Sequence, residues 1–63
     1  MMTKYRVTVR ATKAPHKGRD FTYVLETKTR DEAIALAKQY AQDFDRITST
    51  VLHKIEEVPH VAA

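Results

Sequence analysis

Residues 4–12, KYRVTVRAT, alternate without a break: Tyr5, Val7, Val9 and Ala11 share one parity, and Lys4, Arg6, Thr8, Arg10 and Thr12 share the other. Side chains of an extended chain point to opposite faces with a period of two. The stretch therefore predicts a strand with one apolar face and one basic face. Such a strand suits a sheet that is covered on one side and open on the other.

Immediately downstream, residues 13–19 read KAPHKGR and contain Pro15 and the chain's single glycine, Gly18. Proline removes a ladder donor and glycine admits positive φ, so the first strand ends here in a connection too long for a two-residue hairpin. Its composition predicts an exposed, basic, mobile loop. Residues 20–27, DFTYVLET, resume the alternation, with Phe21, Tyr23 and Leu25 facing the core and Thr22, Val24 and Glu26 facing out. The first two strands form a β-hairpin.

Thr29-Arg30-Asp31-Glu32 matches the capping box, in which the Thr29 hydroxyl accepts from the Glu32 amide and the Glu32 carboxylate reaches back to the Thr29 amide. Asp31 and Glu32 also complement the positive end of a helix dipole. A helix follows from about residue 30 to 44. At 100° per residue, Ala33, Ala37, Tyr40, Ala41 and Phe44 form its apolar stripe, flanked by Ile34 and Leu36. The alanines let it lie close to a sheet.

Residues 47–58, ITSTVLHKIEEV, form a third strand whose phase is ambiguous. The odd positions Ile47, Val51 and Ile55 make the better apolar face, which turns Leu52 outward and leaves His53 inward or at the edge. A bulge midway would switch the phase. The tail, Pro59 to Ala63, is expected to fray.

The expectation is an α+β domain of order β-β-α-β. A right-handed crossover brings the third strand beside the first, antiparallel to it, in a sheet of order 2-1-3. One helix covers one face and leaves the other bare.

All 63 residues fit one small domain, which buries only about 60% of its unfolded surface. With no cysteine, disulfides and thiolate metal sites are excluded. His16, His53 and His60 have no zinc-ligand spacing, and no cofactor is implied. No stretch reaches the roughly 20 apolar residues of a membrane span, and no export signal is read at the N-terminus, so the expected location is cytoplasmic. The net charge of +3 is unevenly spread. Residues 1–28 hold seven cations against two carboxylates, whereas residues 29–63 hold four against six. The basic N-terminal half suggests an acidic partner.

The bare sheet face is the candidate site. It presents Arg6 and Arg10 with Lys4 in support, and the neighbouring loop adds Lys13, Lys17 and Arg19. Cations on a pleated surface release counterions from a phosphate backbone, and arginine forks read guanine edges. The core parity of Tyr5, Phe21 and Tyr23 leaves no platform for stacked bases, so DNA is favoured over single-stranded RNA. Threonines and charges also line ordinary solvated sheets. The same face, with Val24 and Leu52 flanking the arginine row, could instead form a homodimer or dock on an acidic protein.

Enzymatic chemistry is not expected. Ser49 and His53 would lie about 13 Å apart along a strand, too far for a nucleophile and its base. There is no glycine-rich phosphate loop.

The pattern YRVTVRA…FTYVLET…TRDEAIALAKQYA, across residues 4–41, resembles short bacterial and bacteriophage reading frames in which a hairpin precedes a "DEAI-x-x-A" helix. The resemblance implies a compact β-β-α unit from a phage or prokaryotic setting, with a role in binding nucleic acid or a host protein. It implies no functional residue.

Overall fold

The structure is a computed structural model and describes residues 1–59. Four elements follow one another: β1 (Thr3–Ala11), β2 (Asp20–Thr27), α1 (Arg30–Asp45) and β3 (Thr50–Glu57). They form an α+β fold whose single sheet has the order β2-β1-β3, with both outer strands antiparallel to β1. The expected order and pairing are both present. His60 to Ala63, and with them most of the tail expected to fray, lie outside the described residues.

The core is the alternating parity of β1 pressed against α1. Tyr5, Val7, Val9 and Ala11 are buried, Val7 and Val9 completely. Burying each valine is worth about 1.5–3 kcal/mol. Ala33, Ala37 and Ala41 meet them from the helix with no residual exposure, and Leu25 and Ile47 close the ends. Alanine at every contact turn brings the helix backbone near the sheet, but it also limits the buried apolar volume. The larger side chains Phe21, Tyr23, Leu36, Tyr40, Leu52 and Ile55 make the margin of the core.

Local chemistry fixes the helix ends. Thr29 is the N-cap and accepts from the Glu32 amide at 3.1 Å, an interaction worth about 1 kcal/mol. The return arm of the box differs from expectation: the Thr29 hydroxyl lies 3.3 Å from Glu32 Oε1, so the carboxylate engages the side chain of the cap. At the other end Arg46 adopts the left-handed conformation, φ 59°, and the amides of Arg46 and Ile47 both donate to the Ala41 carbonyl. That turn drives Ile47 into the core.

Two expectations need correction. Phe44 is 75% exposed. Its bearing on the helix matches the buried alanines, but in the last turn it leans on Tyr40, with ring centroids 5.4 Å apart, instead of on the sheet. The third strand, moreover, does not keep one phase. Thr8 is opposite Lys54, and Val9 is opposite Leu52, so β3 has one extra residue, His53, at a bulge. Ile55 and Leu52 therefore both join the core, and Val51, assigned inward from the sequence, is turned out and half exposed. Ile47 does face inward, from the turn before the strand.

Candidate nucleic-acid interface

The open face is built on the outward parity of β1. Lys4, Arg6, Thr8 and Arg10 stand in a row, opposite Glu26, Val24, Thr22 and Asp20 on β2. On β3 the neighbours of Arg6, Thr8 and Arg10 are Glu56, Lys54 and Val51. Arg6 and Arg10 thus share one surface, as their common parity requires.

Register decides what that surface is electrostatically. Arg6 Nη1 donates to Glu56 Oε1 at 3.1 Å. Arg10 forms a two-pronged pair with Asp20, Nε to Oδ1 at 2.8 Å and Nη2 to Oδ2 at 3.2 Å. Lys4 lies 3.9 Å from Glu26, and Lys54 the same distance from Glu56. Between them the hydroxyls of Thr8 and Thr22 bond at 3.0 Å. Four cations thus interleave with three carboxylates, and the expected basic plate is instead a lattice of alternating charge. Exposed pairs of this kind contribute only about 0–1 kcal/mol each, so an incoming anion can exchange for a carboxylate at little cost. The Arg10 fork holds the Asp20 carboxyl below its ordinary range, chiefly by hydrogen bonding.

His53 joins this lattice. Its Nε2 is 3.2 Å from Arg10 Nη2. The same nitrogen lies 3.9 Å from Asp20 Oδ2, so His53 stands beside both members of the Arg10–Asp20 pair. The bulge thus brings His53 onto the open side, not inward.

Lys13, Lys17 and Arg19 behave differently. Among the described residues, none of them enters an ion pair. Their loop is tied by backbone bonds: the Ala11 amide donates to the Arg19 carbonyl, Gly18 to Ala11, Arg19 to His16 and Thr12 to Ser49, all at 2.9–3.0 Å. Gly18 sits at φ 87°, where a side chain would be strained. His16 packs edge-on to Phe21 at 6.4 Å, and its Nδ1 is buried without a partner. Beside the loop a small cleft of about 70 Å³ is lined by Lys13, His16, Arg46, Thr48 and Ser49. Arg46 therefore shares this cleft with one of the loop cations, Lys13. Sequence reasoning did not select Arg46, because only the turn after the helix brings it there.

The apolar flank is also rearranged. Val24 is 55% exposed on the open face, as expected. Leu52 is not available there, because it pairs with Val9 and packs against the core. Val51 takes the outward position, opposite Arg10, while Val24 is opposite Arg6 on the other side of β1. The arginine row separates the two valines.

Tyr23, Tyr40 and Phe44 form an aromatic run on the helix side of β2. The Tyr23 hydroxyl donates to Asp45, and burial together with that bond raises its pKa above the ordinary tyrosine value. Among the described residues no cluster of three metal-ligating side chains occurs, and no helix is long and apolar enough to cross a membrane. Comparison with family models, curated proteins and solved structures returns no match.

Proposed function

We infer that this domain binds nucleic acid, gripping the phosphate backbone of a duplex with Lys13, Lys17 and Arg19. One observation carries the reading: among the described residues these three cations have no carboxylate partner, and they stand on a loop held by its own hydrogen bonds. Arg46, which shares the small cleft with Lys13, adds a further cation. Unneutralised cations on a fixed loop lose little entropy on docking and release counterions from the phosphates they meet.

Lys4, Arg6 and Arg10 take a secondary part. Their carboxylate neighbours must be displaced before they meet phosphate, which makes the sheet a weaker contact than the loop. The open face carries no aromatic side chain on β1 or β2, since Tyr5, Phe21 and Tyr23 all face the helix, and this supports a duplex over a splayed single strand.

The test is a fluorescence-anisotropy titration with a short DNA duplex across a salt series. Three phosphate contacts give a slope of log K against log salt of roughly −2.7, with dissociation constants of about 1–100 μM. Replacing Lys13, Lys17 and Arg19 together with alanine removes most of the affinity and flattens the slope. If no duplex binds at low salt, or if the triple variant binds as the parent does, the reading fails.

A further inference from the structure

We propose that the free edge of β2 is a self-association surface whose partner is a second copy of this chain, paired antiparallel about Val24. The proposal does not depend on the nucleic-acid reading. It begins with where the backbone groups point. Ala11 exchanges both of its bonds with the loop leading into β2, whereas the Lys4 carbonyl accepts from Val58 and the Thr12 amide donates to Ser49. Odd residues of β1 therefore bond toward β2 and even residues toward β3, as an antiparallel ladder requires. On β2 the odd residues answer β1, which leaves the amides and carbonyls of Thr22, Val24 and Glu26 directed outward.

This edge carries charge only near its ends, at Asp20 and Glu26. From Asp20 to Thr27 its pairing with β1 is regular, and the strand contains neither proline nor lysine. Natural edges usually carry a bulge, a lysine or a cover to prevent pairing with another chain.

Charge then selects the occupant and the register. Two antiparallel self-pairings use nearly the whole strand and match the outward groups. If Tyr23 meets its own copy, Asp20 is placed opposite Glu26 at both ends, which is repulsive. If Val24 meets its own copy, Thr22 is opposite Glu26 and Asp20 is opposite Lys28. Lys28 is exposed and has no ion pair among the described residues. The exposed Val24 becomes a β-branched cross-strand pair at the two-fold axis.

The helix layer agrees with this arrangement. α1 packs over β1 and β2 more than over β3. The two-fold axis then sets α1 and its copy about two strand spacings apart, about 10 Å, an ordinary distance for packed helices. Tyr40 and the exposed Phe44, next to Tyr23 on this side, then lie toward the seam.

Sedimentation equilibrium tests the proposal at protein concentrations up to about 0.1 mM, where micromolar pairing is saturated. The parent chain is expected at twice its monomer mass, with Val24→Lys and Val24→Asp each monomeric and retaining the parent's circular dichroism. Mixing the two variants restores the dimer, because opposite charges then meet at the axis. Under oxidation Val24→Cys cross-links to itself, whereas Val51→Cys, at the equally exposed valine of the other edge, does not. A monomeric parent chain overturns the proposal. So does a dimer indifferent to both Val24 variants, or a mixture that stays monomeric.

Discussion

β2 and β3 flank the same central strand, run in the same direction and are both eight residues long, yet they end the sheet in different ways. β3 is interrupted by the bulge at His53 and carries Lys54, Glu56 and Glu57 toward its end. Those features discourage another strand from adding to it. β2 has neither bulge nor lysine, and between Asp20 and Glu26 it shows Val24 to solvent on one side while an aromatic run lies on the other. Both outer strands do provide acids to the cations of β1, Asp20 and Glu26 from one side and Glu56 from the other. The lesson is that the strands neutralise the sheet face together, but only one of them protects its backbone edge.

The strongest way to break this comparison is to remove the support that both strands share. Val9 is fully buried between Phe21 on β2 and Leu52 on β3. Val9→Ala is expected to cost about 2 kcal/mol. In so small a domain that is about 8–16 °C of thermal midpoint, measurable by circular dichroism. Both edges should melt together.

A sharper contrast lies within β3. The bulge packs Leu52 against the core and turns Val51 out, so Leu52→Ala should destabilise by roughly 1–2 kcal/mol, less than a fully buried leucine, while Val51→Ala should stay within about 0.5 kcal/mol. Chemical denaturation of the two variants decides the phase of the strand. The reverse order would mean that the unbulged reading was right.

The smallest effect belongs to the β2 side of the charge lattice. Arg10 holds the Asp20 carboxyl below its ordinary value. A group with a depressed folded pKa adds stability above its unfolded pKa, about 3.9 for aspartate, and that contribution is lost as pH falls through the lower folded value. Stability measured from neutral pH downward should therefore fall below about pH 4, and Asp20→Asn should make that acid limb shallower. An unchanged limb would show that the Arg10 fork does not couple to folding. Because Asp20 is exposed, solvent screening keeps the difference small.

Much of this architecture was legible because its determinants are local. The alternation of residues 4–12, the Pro15–Gly18 break and the Thr29–Glu32 cap each act within a few residues, and the hairpin, helix start and strand order followed from them. What escaped depends on distant residues. Parity placed Arg6 and Arg10 together but could not say that Glu56 and Asp20 would stand beside them, since that requires register across strands far apart in sequence. An inserted residue inverts parity for everything beyond it, so Leu52 and Val51 exchanged roles. Phe44 had the right angle around the helix and the wrong height along it, which a helical wheel does not record. For the candidate site, the loop cations were visible as a basic run, whereas the contribution of Arg46 arises only from the left-handed turn after α1.

The bulge also marks where the chain could change length. With His53 omitted, Thr50, Leu52 and Ile55 would still fall opposite Ala11, Val9 and Val7, and Val51, Lys54 and Glu56 opposite Arg10, Thr8 and Arg6. A deletion at that one position would straighten the strand while sparing each of these cross-strand neighbours, whereas the same deletion elsewhere in β3 would put the segment between the gap and His53 out of step. The fold thus has a single-residue slack, set on the solvent side of its sheet.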